Sequence, residues 1–397
     1  MTETFSGSFT QQEPIPDEAI EAALAVLRHG RLHRYNLAKG ELGETALLEQ
    51  EFAAQTGARY CLAVASGGYA LATALRAVGV GPGDAVLTNA FTLAPVPGAI
   101  ASVGARPVFV GVTESLTIDL DDLAAKAGTA RVLMLSHMRG HLCDMDRLMQ
   151  ICDDAGITVI EDCAHTMGAA WNGVPSGRQG AVGCYSCQTY KHVNSGEGGL
   201  LITDDEEIAA RAVMMSGSYM LYERHLAAPG PEVFERIKYH TPNISGRMDN
   251  LRAAILRPQL RALDAQVARW NERYQRIEAG LRGTPGLTVI ERPEAETYVG
   301  SSIQFLLLDW AADKVQEVLR RCAARGVELK WFGTPEPVGF TSRYDSWRYA
   351  ESAPMPASDR VLAGIVDMRV PLTFSLEDCD LIARIIRAEV GAVYQGG

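Results

Sequence analysis

What the chain lacks narrows its class before any motif is read. It has no apolar run of the about 20 residues needed to cross a bilayer. Its start, Met1-Thr-Glu-Thr-Phe-Ser-Gly-Ser8, has no basic stretch followed by an apolar one, so no secretory signal is expected. Positive charge is in deficit: 37 Lys and Arg stand against 48 Asp and Glu, a formal net charge of −11 at pH 7. That balance argues against a nucleic-acid surface and against a polybasic membrane patch. Metal-ligand spacing is scarce as well. Cys184 and Cys187 form one C-x-x-C pair with no second pair after it, so no metal site and no redox centre is expected. The eight cysteines are scattered, mostly through apolar segments, and read as buried free thiols in a reducing cytoplasm. No internal repeat and no low-complexity segment is found.

The chain is rich in alternating apolar segments. Strand-like runs at Tyr60–Ala65, Ala85–Thr88, Pro107–Val110, Arg131–Ser136 and Ile157–Ile160 are separated by helical runs at Tyr69–Val78, Asp119–Ala127 and Asp144–Ala155. Val182–Cys187 and Leu200–Thr203 add two more strands. Such alternation implies right-handed crossovers and a mostly parallel sheet covered on both faces. A helix is expected at Pro16–His29, stopped by Gly30, and another at Glu44–Gln55. The residues before Pro16 read as a loose arm, and Tyr219–Thr241 as an irregular segment. Asp249–Leu281 reads as a connecting helix interrupted at Pro258. A smaller C-terminal α/β unit follows, with a long loop at Gly333–Pro356. The expected division is an arm at 1–15, a large domain at 16–255, and a connector with a small domain at 256–397.

Three stretches carry chemistry. Lys191 sits among small, polar and glycine residues between two strands, and a partly desolvated amine there can attack a carbonyl to form a Schiff base. The plain alternative is a surface lysine on a hairpin. Asp162 ends the run Ile157-Thr-Val-Ile-Glu-Asp162, at the strand end where α/β sheets bind ligands. A carboxylate there can keep a ring nitrogen protonated, as pyridoxal phosphate requires beside its lysine, or can simply cap a helix. Finally, Ser66-Gly-Gly68 opens a helical run, and small residues there let amide N–H groups meet a phosphate. Ser186, five residues before Lys191, offers a further hydroxyl.

These stretches, in this order, make the chain resemble the DegT/DnrJ/EryC1/StrS sugar aminotransferases, within the fold type I pyridoxal phosphate enzymes. The likeness extends through Gly81-Pro-Gly-Asp84, Ala105–Val110, Ser136-His137 with Gly140, and Asp144-Met-Asp146. It continues through Glu161-Asp-Cys-Ala-His165, Lys191 with Gly196-Glu-Gly-Gly199, and Arg247-Met248. It implies a large domain on a mostly parallel sheet of seven strands plus a small C-terminal α/β domain. It further implies pyridoxal 5'-phosphate as cofactor, glutamate or glutamine as amino donor, and a keto sugar, nucleotide-linked or not, or a keto cyclitol as acceptor. By the same resemblance Lys191, Asp162 and His165 are catalytic. Gly67, Gly68, Leu93, Ser186 and Asn243 join them around the cofactor. Arg34 and Tyr35 would meet substrate, with Lys330 a further substrate candidate where the sequence departs from the family, and a homodimer would share its sites through the segment around Arg247-Met248.

The chain departs from the family in four places. Ser66-Gly-Gly68 lacks the family's threonine. Leu93 stands where an aromatic usually stacks on the ring, with Phe91 two residues before it. Asn243-Ile-Ser-Gly-Arg-Met248 is two residues longer than the family's Asn-Tyr-Arg-Met, which loosens the assignment of Asn243. Lys330-Trp-Phe-Gly333 replaces the usual small-domain sequence. His165 can also be read as a core histidine, Arg34 and Tyr35 as part of a solvated loop, and Glu197 as a residue that only shapes its turn. Two other functions fit a cofactor lysine: a different pyridoxal phosphate reaction on a non-sugar carbonyl or amino acid, and a cofactor-binding regulator without turnover. Dehydratases of the family carry histidine in place of the lysine. Here Lys191 is present with His192 beside it, which favours transamination.

Overall fold

Seven short strands rich in aliphatic residues build the central sheet. They are β1 Tyr60–Val64, β2 Ala85–Asn89, β3 Arg106–Val110, β4 Val132–Ser136, β5 Thr158–Asp162, β6 Val182–Ser186 and β7 Gly199–Thr203. This computed structural model describes residues 3–334, 336–339 and 341–396. The strand order is β1-β7-β6-β5-β4-β2-β3. β7 runs antiparallel to both its neighbours, and the other pairs are parallel. All strands but β7 therefore end at the same edge, where connecting loops can converge on a ligand.

Side chains alternate across the sheet with the period of two that a strand imposes. Leu62, Val64, Met134 and Ile160 pack on one side against the helices Gly67–Ala77, Pro95–Ser102 and Glu206–Ser216. Cys61, Ala63, Leu133, Leu135 and Val159 face the other way, into two further clusters. The parallel strands are covered on both faces, as their near-continuous apolar runs require.

A second, antiparallel sheet follows in the chain: β8 Thr288–Val289, β9 Ser302–Leu306, β10 Lys330–Trp331 and β11 Ile365–Arg369, in the order β8-β9-β11-β10. An apolar cluster joins it to the large sheet. Phe91 and Met138 on one side meet Leu306, Phe332 and Trp347 on the other. Phe91 lies edge-on to Phe332 with ring centroids 5.1 Å apart.

Several expectations need correction. The N-terminal arm is not loose. Phe5 and Phe9 are buried and meet Phe374 edge-to-face, each with centroids 5.0 Å away. Two aromatics inside a polar stretch are enough to dock it. Tyr219–Thr241 contains a helix, Pro231–Ile237, because Pro231 occupies the first turn, where its missing N–H has no helical partner to lose. The connecting helix runs straight through Pro258 and breaks at Ala262 instead, giving Asn250–Arg261 and Leu263–Leu281. Buried Ala253, Ala254 and Leu256 hold the first of these in place despite the lost hydrogen bond. The helix Pro356–Gly364 and the strand β11 were not read from the sequence at all. Among the described residues no helix is long and apolar enough to cross a membrane.

Candidate functional site

The tips of β4 and β5 lie side by side, with Ser136 opposite Asp162 in register. Ser136 Oγ is 3.1 Å from Asp162 Oδ2, and the Ala164 amide donates to Oδ1 at 3.1 Å. The preceding residue, Glu161, points to the other face, as strand alternation demands. It is fully buried, and its oxygens meet His137 Nε2 at 2.8 Å and the amides of Gly177, Gln179 and Gly180 at 2.8, 2.9 and 2.6 Å. Burial alone would raise its pKa, but these donors hold it below the ordinary carboxylate value. His137, Glu161 and Cys163 come within 4.8 Å of one another. Because Glu161 already has four donors, this cluster is a hydrogen-bonded anchor for the strand tip.

The chain after β6 folds back over that tip. Lys191 N donates to Gln188 O at 2.8 Å, and Thr189 N to Gly196 O at 3.1 Å. Cys187 N then donates to Gly198 O at 2.8 Å and leads into β7. The fold-back brings Lys191 Nζ to 2.9 Å from His165 Nε2. Gly199 is needed where β7 begins: a Cβ there would stand 2.4 Å from Ser66 O. A Cβ on Gly67 would come within 2.8 Å of Ser186 Cβ. The first turn of the helix Gly67–Ala77, capped by Ser66 Oγ on Tyr69 N at 3.1 Å, is thereby pressed against the end of β6. Open space lies beside Gly68, where a Cβ would meet nothing within 4 Å.

These elements enclose a cavity of about 510 Å³, within the range that holds a small-molecule ligand. Asp162, His165 and Lys191 line it, together with Gly67, Gly68, Ser186 and Leu93. Burial raises Asp162 above the ordinary carboxylate value, while nearby Lys191 pulls it back. Burial lowers Lys191 to about 7; Asp162 opposes that shift, and Arg139 and Arg369 add to it. His165 is held well below its ordinary value by burial and by Lys191, so its ring stays neutral. A partly neutral amine thus faces a buried carboxylate, with a helix N-terminus opening on the same space. That donor set fits a phosphorylated aldehyde: a nucleophilic nitrogen, an acid, and amide N–H groups for an anion.

The remaining expected residues lie elsewhere. Arg34 is buried and bidentate on Glu49 at 2.8 and 2.9 Å, and Tyr35 Oη is 2.7 Å from His225 Nε2. Neither lines the cavity of this chain, because Glu49 is a buried carboxylate that needs a counter-charge. Asn243 is exposed, its Oδ1 accepting from Ser245 N at 3.1 Å. Lys330 lies opposite Asp367 in the small sheet and does not itself line the cavity. His192 turns toward Ser301 Oγ at 2.9 Å and Trp270, and does not face the lysine's cavity. Phe91 serves the apolar cluster, which leaves Leu93 on the cavity wall. Sequence reasoning missed Arg139, Arg369 and Ser302, all of them lining residues. Arg139 stood inside the quoted Ser136…Gly140 stretch, but nothing in the pattern marked which way its turn would point.

Comparison with known proteins gives a consistent frame. The family model for the DegT/DnrJ/EryC1/StrS aminotransferases matches residues 15–387. The L-glutamine:scyllo-inosose aminotransferase of Streptomyces griseus is 32% identical over 64% of this chain and 60% of its own length. The UDP-2-acetamido-2-deoxy-3-oxo-D-glucuronate aminotransferase of Pseudomonas aeruginosa is 32% identical over 70% of this chain and 74% of its own. Matches to the first curated relatives span about three fifths of those proteins, at 59%, 62% and 61% of their lengths. The crystal structure of 3-amino-5-hydroxybenzoic acid synthase superposes with a TM-score of 0.81 at 25% identity, covering 97% of this chain and 99% of the other.

The lowered Lys191 pKa has a direct consequence. Its neutral fraction grows as pH rises through about 7, whereas an ordinary lysine titrates near roughly 10.4. Competitive labelling of the cofactor-free protein with trace fluorodinitrobenzene should give Lys191 a midpoint near 7. A midpoint near that of an ordinary lysine would contradict the desolvated site.

Proposed function

Because the chain belongs to the DegT/DnrJ/EryC1/StrS aminotransferase family, we propose that it is a pyridoxal phosphate-dependent aminotransferase. It moves an amino group from glutamate or glutamine to the ketone of a sugar, nucleotide-linked or free, or of a cyclitol. The observation that carries this reading is the shared cavity of Lys191, Asp162 and the Ser66–Gly68 helix start. Bound pyridoxal phosphate supplies an aldehyde that captures amines and a ring that accepts electron density. Gly67 and Gly68 amides with Ser186 hold the phosphate. Asp162 keeps a proton on the ring nitrogen, and Ser136 and the Ala164 amide fix its carboxylate for that task. Lys191 provides the amine that tethers the cofactor, then accepts and returns the proton at the substrate carbon. The neutral His165 ring orients the Lys191 nitrogen. Leu93 covers the cavity as an apolar wall.

The reading includes a homodimer that completes each site with a segment of the other chain. Support comes from Tyr219, Met220, Tyr239 and Ile244, large apolar side chains with exposures of 60%, 45%, 81% and 43%. Tyr219, Met220 and Ser245 also adopt left-handed backbone, with φ of 50°, 64° and 51°. Strain and exposed apolar surface on one segment fit a contact made between chains. Asn243 and Arg247 belong to this segment and would reach the neighbouring cavity, with a two-fold axis relating the contacts. The eight buried free thiols support a reducing, cytoplasmic setting.

Borohydride reduction of the yellow protein should fix one cofactor per chain on the peptide containing Lys191. Label on Lys39, Lys238 or Lys330 instead would refute the assignment. For the dimer, a Lys191→Ala chain and an Arg247→Ala chain, each inactive alone, should regain activity when denatured and refolded together. If subunits demonstrably mix and no activity returns, the site is complete within one chain.

A further inference from the structure

Arg139 occupies an unusual place. Its backbone is left-handed, with φ 56° and ψ 20°, a region that a residue with a side chain seldom enters. The turn that holds it is pinned on several sides. His137 N donates to Asp162 O at 3.1 Å, Gly140 N donates to His137 O at 3.1 Å, and Arg292 Nη1 donates to Gly140 O at 2.7 Å. Strain kept in place by such contacts is often tied to function. Its effect here is to set the Arg139 side chain into the cavity wall, with only 7% of the residue exposed.

The guanidinium is incompletely satisfied. Its Nη2 lies 2.9 Å from Asp367 Oδ2, yet neither that oxygen nor the buried Arg139 Nε has a hydrogen-bond partner. Behind it, Asp367 Oδ1 accepts from Gln304 Nε2 at 2.7 Å, and Gln304 Oε1 is 2.8 Å from His141 Nε2. A second guanidinium lines the same cavity: Arg369, at the end of β11, lies 3.6 Å from the centre of the Tyr190 ring. Arg139, Arg369 and Lys191 all line this one cavity. On the aminotransferase reading, the helix start at Ser66–Gly68 takes the cofactor phosphate elsewhere in the cavity. A buried, underused guanidinium fork beside a second guanidinium suits a planar anion that can take paired hydrogen bonds.

We propose that Arg139 and Arg369 form a carboxylate-binding subsite that orients the acid group of a substrate toward Lys191, with Asp367, Gln304 and His141 as positioning residues behind Arg139. This deepens the aminotransferase reading and rests on Lys191 being the reacting amine. The carboxylate comes either from the amino donor or from an acid group on the keto acceptor.

The test begins with binding. Glutarate, which cannot react, and the neutral diamide glutaramide are titrated calorimetrically into the cofactor-loaded protein. Glutarate should bind and glutaramide should not. Arg139→Gln and Arg369→Gln should each weaken glutarate at least tenfold, and Arg139→Lys, which keeps the charge without the fork, should fall between. Spectral half-reactions then separate the sources. If Arg139→Gln slows amine uptake from L-glutamate but leaves amine return to neutral scyllo-inosose intact, the donor's carboxylate uses the subsite. If glutarate weakens while uptake stands, the acid belongs to the acceptor. Failure of the parent to bind glutarate, or undiminished glutarate affinity in both folded Gln variants, would overturn the subsite while leaving amine transfer untouched. Arginine-dependent glutarate binding without any amine uptake would instead sink the transfer reading and keep the subsite.

Discussion

Two opposite charges withdrawn from water at one strand tip set the terms for everything around them. Asp162 is 8% exposed, and Lys191, half-buried as a residue, lines the same cavity. Burial pushes the acid up and the amine down, and each group partly restores the other's charge. The balance leaves an amine that is partly neutral near pH 7. An exposed lysine would be almost wholly protonated there and a poor nucleophile. The two arginines on the cavity wall move the amine in the same direction as burial does.

Holding this pair requires a rigid frame, and buried polar groups supply much of it. Glu161, one residue before Asp162, ties the strand tip to His137 and to the amides of the following loop. The Arg34–Glu49 pair does comparable work beneath β1, where Glu49 also accepts from the Ala63 amide at 2.8 Å. Removing one partner of such a buried pair typically costs about 3–5 kcal/mol. Buried charge thus has two uses in this chain. Glu161 and Glu49 are fully satisfied and structural, whereas Lys191 and Arg139 face open volume and keep bonding capacity for a ligand.

The same distinction explains what could be read from the sequence. The large-sheet strands were legible because each is a short apolar run bounded by turn residues. Lys191, Asp162, Gly67, Gly68 and Ser186 were legible because their spacing ties them to the ends of those strands, and all of them reach the cavity. The pairing of Arg34 with Glu49 was not legible because the two lie on different elements, and no local pattern reveals a buried ion pair. Arg139 went unread because a left-handed turn leaves no mark in hydrophobic periodicity. β11 and the docking of Phe5 and Phe9 depend on tertiary packing of residues far apart in the chain, which local pattern does not encode.

On the proposed function, the Lys191–Asp162 pair drives amine transfer. The most direct measurement follows the absorbance of the cofactor-loaded protein when L-glutamate or L-glutamine is added in a single turnover. The aldehyde-form band should disappear and the amine form should appear. In Asp162→Ala that conversion should slow roughly 100-fold or more, the order seen when a preorganised electrostatic group is removed, with most of the cofactor still bound. A spectrum unmoved by either donor in the parent protein, or an Asp162→Ala variant converting at the parental rate, would contradict it.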